Sequence, residues 1–78
     1  MLTILFFGAT ASITGQRRME VSMDKGTTAG EAYDTLLRRY PLLRSHRLHL
    51  SLNQEFATGE EVLKHGDELA IFTAVSGG

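Results

Sequence analysis

The chain has 78 residues, of which 42% are hydrophobic, a formal net charge of −1 and no cysteine. This length predicts one small domain over residues 1–78, with enough apolar side chains for a core. The absence of cysteine excludes disulfides, thiolate nucleophiles and thiolate metal ligands. The near-neutral charge argues against a protein whose main partner is nucleic acid.

The first predicted element is a strand from Leu2 to Phe7, which is apolar on both faces apart from Thr3. Such a run is typical of a strand buried in the middle of a sheet. Because no basic residue precedes the run and it is too short to cross a bilayer, we interpret it as a strand and not as a signal peptide or membrane anchor. We therefore expect a cytoplasmic protein without a membrane partner.

The next segments predict a loop, a strand and a helix in that order. Residues 8–15 are predicted to form a loop, and alternation over residues 17–24 predicts a half-buried strand that forms a hairpin with the first strand. Thr28 and Glu31 match a capping box, and apolar residues then follow at helical spacing as far as Tyr40. Pro41 is expected to end this main helix.

The second half of the chain predicts strands again. Residues 48–52 alternate leucine with polar residues, which predicts a strand with one solvated face, and Phe56 is expected to begin a short edge strand. Residues 69–75 form the last predicted strand, which like the first is apolar on both faces.

Two doubly apolar strands should lie side by side in the centre of one sheet, parallel to each other, with the helix crossing one face. The predicted fold class is therefore α+β, a β-grasp (ubiquitin-like) arrangement with a mixed sheet of four to five strands and one main helix packed on one face. The other face is expected to carry Leu5, Phe7, Ala70 and Phe72 with little sequence left to cover them. We interpret Leu5, Phe7 and Phe72 as partner-binding residues; the alternative is ordinary core covered by loops.

The chain ends Val75-Ser76-Gly77-Gly78 directly after the last strand. We expect residues 76–78 to form an extended tail, because two glycines leave the final carboxylate approachable from all sides and let another molecule come close. The alternative is a frayed terminus or a cloning remnant.

Three blocks of sequence carry a resemblance to a known family. They are Leu5-Phe6-Phe7-Gly8, Asn53 within residues 50–55, and Gly66 to Phe72 leading into Val75-Ser76-Gly77-Gly78. In this order and at this length the chain resembles the small subunit of molybdopterin synthase. The resemblance extends over essentially the whole chain, and the C-terminal block is its most specific part.

The resemblance implies a sulfur carrier whose reactive group is the carboxylate of Gly78. In that family a ubiquitin-activating-like adenylating enzyme uses ATP to adenylate this carboxylate, and sulfur then replaces the adenylate to give a thiocarboxylate. Val75, Ser76 and Gly77 would thread into the large subunit of molybdopterin synthase, where sulfur passes to a pterin precursor. No cofactor is expected to be bound permanently, and the catalytic side chains are expected on the partners.

Two departures from the family pattern keep other sulfur acceptors open. Thr73 and Ala74 stand where relatives commonly carry prolines, and residues 9–14 lack the charged residues often found there. The alternatives are a carrier for thiamine or tRNA thiolation, a ubiquitin-like modifier joined through Gly78 to lysines, and an interaction domain with an inert tail. No metal site is predicted, because the three histidines lack metal-ligand spacing.

Overall fold

A computed structural model describes residues 1–73 as a mixed five-stranded sheet with the helices on one side. The elements in chain order are β1 (Leu2–Phe6), α1 (Ala9–Thr14), β2 (Arg18–Val21), α2 (Ala29–Arg39), a 3-10 turn (Pro41–Ser45), β3 (Leu48–Leu52), β4 (Glu55–Phe56) and β5 (Glu68–Thr73). The strand order is β2-β1-β5-β3-β4, in which β1 and β5 are parallel and the other pairs antiparallel. The predicted α+β fold class and the parallel pairing of the first and last strands are confirmed.

The core lies between the sheet and α2. Side chains from one face of β1 and β5 are almost completely buried there: Leu2, Ile4, Phe6, Leu69 and Ile71. They meet Ala29 and Leu36 of α2 and Leu43 of the 3-10 turn, which are also buried. Each large side chain fully buried in this way contributes about 1.5–3 kcal/mol to stability. Because successive side chains of a strand point to opposite faces, the residues of β1 and β5 named above all lie on the helix side of the sheet.

The main helix begins where the capping box predicts. The Thr28 side chain accepts a hydrogen bond from the Glu31 N–H at 3.2 Å, and the Thr28 N–H donates to Glu31 Oε1 at 2.9 Å. The helix ends at Arg39, and Pro41 opens a 3-10 turn that the sequence did not predict. Proline is favourable at the first position of a helical turn because its N–H is not needed there.

The predicted loop over residues 8–15 is wrong, because these residues contain α1. Gly8 and Gly15 flank this short helix with φ angles of 58° and 74°. Glycines at both ends indicate a loop when they are considered alone, but here both adopt positive φ angles, and Gly15 ends one short helix in the left-handed conformation. Ala11 and Ile13 pack against the core. The second strand is also shorter than predicted, since it ends at Val21.

A buried threonine attaches α1 to the end of β5. Thr10 is fully buried, and its hydroxyl oxygen lies 2.8 Å from the Ile71 carbonyl oxygen and 2.9 Å from that of Phe7. The same hydroxyl accepts the Phe7 N–H at 2.9 Å. The hydroxyl has a single proton, so it donates a hydrogen bond to only one of these two carbonyl oxygens at a time. Thr10 therefore connects the end of β1, α1 and β5 at Ile71, where the pairing of β5 with β1 ends.

We expect Thr10→Val to destabilise the fold by about 1–3 kcal/mol, because the near-isosteric side chain leaves buried polar groups without partners. Urea denaturation measures the change. Thr35→Val is the matched control, since the Thr35 hydroxyl is on an exposed face of α2 and donates to the Glu31 carbonyl oxygen at 3.1 Å. Equal losses in the two variants would contradict an anchoring role for Thr10.

A polar cluster joins the β3–β4 turn to the start of β5. Asn53 and Gln54 have φ angles of 51° and 72°. The Asn53 side chain donates to Asp67 Oδ1 at 3.0 Å and accepts the Glu68 N–H at 2.9 Å, while the Lys64 N–H donates to Asp67 Oδ2 at 2.8 Å. These hydrogen bonds, that from Asn53 above all, hold the pKa of the Asp67 carboxyl below its ordinary value.

This cluster makes stability depend on pH in a defined direction. A carboxyl whose pKa is lower in the folded than in the unfolded state stabilises the fold above the unfolded pKa, and this contribution is lost as the pH falls through the folded pKa. Asn53→Ala should therefore cost about 1–2 kcal/mol near neutral pH and less under acidic conditions, where Asp67 is protonated. Urea denaturation at several pH values measures this, with Asn53→Gly as the control that relieves backbone strain at positive φ. A pH-independent cost would contradict the role of the Asn53–Asp67 bond.

Candidate functional site

The segment that leads to the predicted tail is paired on both sides up to Ile71 and on one side as far as Thr73. Along β5, Ile71 pairs with Phe6 at the end of β1, and on the other side Thr73 pairs with Leu48 of β3. Beyond the end of β1, α1 packs beside β5. The predicted tail residues Val75, Ser76, Gly77 and Gly78 lie outside the described residues. The last described residue, Thr73, is therefore the end of the central strand of the sheet.

The face of the sheet opposite the helices carries both charged and uncharged side chains, and the uncharged ones lie together on β5 and its neighbours. Strand pairing places Leu5 opposite Ala70, Ser51 opposite both Ala70 and Phe56, and Phe72 opposite His49. Leu5 and Phe72 are half-buried, and Ala70 is buried among its neighbours. Two of the three predicted partner-binding residues, Leu5 and Phe72, thus lie on this face within the described strands.

Three rings form an aromatic cluster on this face: His49, Phe56 and Phe72. The ring centroids of His49 and Phe72 are 5.8 Å apart in a stacked arrangement, and Phe56 lies 6.1 Å from Phe72 and 6.4 Å from His49. Phe56 is 79% exposed. Because exposing a phenylalanine to this extent is unfavourable unless a partner covers it, the cluster is a candidate docking surface.

Sequence reasoning missed two members of the aromatic cluster. It placed His49 on a solvated face and Phe56 on an edge strand, but it did not place β3 next to β5. Alternation alone indicates which side of a strand a residue occupies, and only the strand order brings His49 and Phe56 to Phe72.

Phe7, the third predicted partner-binding residue, lies one position beyond the end of β1 and is 53% exposed. It lines a surface hollow together with Ala11 and Ser12 of α1. Since Phe6 pairs with Ile71, Phe7 is level with Phe72 along the sheet. Phe7 and the aromatic cluster therefore lie beside the end of β5, just before the predicted tail.

Other kinds of site receive no support from the described part of the chain. Among residues 1–73, no three histidine or acidic side chains are close enough together to hold a metal ion. In the same range, no helix has the length and apolar character needed to cross a membrane. His65 instead lies beside the terminal amine of Met1, with its Nδ1 at 2.6 Å from that nitrogen.

Comparison with known proteins assigns the chain to a family, because the model of the ThiS family matches residues 4–78. The chain belongs to the ThiS family. The molybdopterin synthase sulfur carrier subunit of Mycobacterium tuberculosis is 38% identical, over 99% of this chain and 96% of that protein. That of Arabidopsis thaliana is 33% identical, over 99% of this chain and 82% of that protein.

A solved structure extends the comparison to three dimensions. The crystal structure of small archaeal modifier protein 1 from Haloferax volcanii superposes on this ThiS-family protein with a TM-score of 0.83 and 30% identity, over 95% of this chain and 97% of that one. The ubiquitin-like β-grasp fold and the resemblance to the small subunit of molybdopterin synthase are both confirmed.

Proposed function

We propose that this ThiS-family protein is the sulfur carrier of molybdopterin synthesis and that the carboxylate of Gly78 carries the sulfur. The observation that supports this most directly is the near full-length similarity to sulfur carrier subunits of molybdopterin synthase from a bacterium and a plant. The central position of β5 in the sheet, with an exposed aromatic cluster beside its end, fits a protein that docks by one face and presents a tail.

The chemistry of a carboxylate explains why such a carrier needs activation. An α-carboxyl has an ordinary pKa of about 3.3–3.7 and is ionised at neutral pH, which makes it a poor electrophile. A ubiquitin-activating-like enzyme would join the carboxylate of Gly78 to AMP from ATP, with release of pyrophosphate. A sulfur nucleophile would then displace AMP and leave a thiocarboxylate. No side chain of the carrier is required for these steps.

The docking surface would consist of the aromatic cluster together with Leu5 and Phe7. The large synthase subunit and the adenylating enzyme would both cover these residues, and the name of the M. tuberculosis relative describes a subunit of a larger synthase. The five residues after Thr73 span at most about 18 Å when fully extended. Val75, Ser76 and Gly77 would therefore bridge a channel of at most that length between the docking surface and the reacting centre.

A second function is favoured by the archaeal comparison. The similar protein from Haloferax volcanii is named a small archaeal modifier protein, and joining Gly78 to lysines of target proteins would use the same activation. A carrier for thiamine or tRNA thiolation is the remaining alternative. All of these functions use the same tail and differ in the acceptor.

Intact mass spectrometry after incubation with ATP, a sulfur source and the adenylating enzyme tests the proposal. We expect the mass to rise by the difference between one sulfur and one oxygen atom. Adding the large subunit and the pterin precursor should then return the carrier to its original mass and produce molybdopterin. Conversion without transfer to the pterin, accompanied by lysine-linked conjugates in cell extract, would instead support the modifier.

A further inference from the structure

The sheet has two edge strands, β4 and β2. The edge at β2 carries a second surface that the proposed function does not use. β2 is the edge strand there, and α2 crosses the sheet beside it. Between them lies a half-open groove with a volume of about 330 Å³. The groove shares no residue with the aromatic cluster.

The outer edge of β2 has backbone groups that face away from the sheet. The Phe6 N–H donates to the Arg17 carbonyl oxygen at 2.9 Å, so Arg17 directs its backbone toward β1. In an antiparallel ladder this orientation alternates, so Met19 and Val21 also bond to β1 while Arg18 and Glu20 direct their N–H and C=O groups outward. Such an edge is a template for an added strand.

The groove beside this edge has an apolar floor. Met19, Val21 and Met23 line it from β2 and the following residues, and Leu36 lines it from α2. The three residues on the β2 side pack against the core and are half-buried. Methionine side chains are flexible and polarisable, so two of them give a floor that adapts to different apolar side chains.

The two ends of the groove carry opposite charges. Arg39, the last residue of α2, lies at the end where β2 begins, because Tyr40 contacts Gln16 through a hydrogen bond of 3.1 Å. Asp24 lies at the end where β2 finishes, since the Thr27 N–H just before α2 donates to its carbonyl oxygen at 3.1 Å. Both residues line the groove and are exposed.

We propose that this groove binds an extended segment of a partner protein that adds to β2 as a further strand. Its alternate residues would be apolar and would occupy the groove over Met19 and Met23, since side chains of a strand alternate between faces. A carboxylate at one end of the segment would pair with Arg39. Binding here leaves the aromatic cluster uncovered, so the carrier would be held by one partner while it exchanges sulfur with another.

The probe is a short synthetic peptide of alternating valine and serine. It carries glutamate at one end, and its length matches that of β2. We expect saturable shifts of the amide signals of Arg18 and Glu20 in the NMR spectrum of the full chain. Binding should weaken at least about tenfold when lysine replaces the peptide's glutamate, or when Arg39→Glu is introduced. The lysine peptide should regain affinity for Arg39→Glu.

The backbone contribution is tested by two substitutions at the same position. Glu20→Pro removes an outward N–H without removing a bond to β1, and it should weaken peptide binding. Glu20→Ala keeps that N–H and should bind like the unchanged chain. The absence of saturable binding, shifts confined to the aromatic cluster, or equal affinity for the glutamate and lysine peptides would each overturn the proposal, whatever the outcome of the sulfur-transfer assay.

Discussion

A chain that lacks Gly78, or one that continues with a bulky residue after it, is expected to show no conversion to the thiocarboxylate. The first variant removes the reacting carboxylate from its position, and the second replaces it by an amide and adds a side chain that a narrow channel excludes. The expected change is complete loss of the sulfur-containing species in intact mass spectra, because the carboxylate that ends either variant lies one residue away from the reacting position.

The control for this experiment separates loss of chemistry from loss of fold. Both variants should keep the free energy of unfolding of the unchanged chain, since the described elements end at Thr73. Ser76→Ala is the matched control within the tail; it leaves the carboxylate and the glycines in place and should be converted. Full activity of the extended chain, with a mass that shows no processing, would disprove the role of Gly78.

The second large effect is expected on partner binding by the face of the sheet opposite the helices. Phe72→Ser should weaken binding to the large synthase subunit by about 2–4 kcal/mol, roughly 30-fold to 1,000-fold in Kd, because buried aromatic anchors dominate the energy of protein interfaces. Phe56→Ser and Phe7→Ser should weaken binding in the same direction. Calorimetric titration with the large subunit measures the changes.

The exposure of Phe56 keeps this prediction testable if Phe72→Ser unfolds. Phe56 is 79% exposed, so its substitution should leave the fold nearly unchanged. Leu42→Ser is the matched control, since Leu42 is 68% exposed on the 3-10 turn, on the helix side of the sheet. Normal affinity of Phe56→Ser together with unfolding of Phe72→Ser would show that Phe72 belongs to the core and not to a docking surface.

Local patterns predicted the main elements because their causes are local. The capping box at Thr28 and Glu31 satisfies backbone groups within one turn, and it marked the start of α2 correctly. The error at residues 8–15 has a non-local cause. Gly8 and Gly15 are the signals of a turn, but burial of Thr10 against Ile71, which is distant in sequence, stabilises a helix between them.

By itself the sequence determined which two strands lie side by side in the centre of the sheet, where the main helix lies, and that two glycines follow the last apolar strand. These features depend on side-chain periodicity and on the conformational freedom of single residues. The tertiary structure alone decided that His49 and Phe56 join Phe72, and that the edge of β2 lies open beside Arg39. The physical reason is that neighbours across a sheet depend on strand order and register, which arise from packing among segments far apart in the chain.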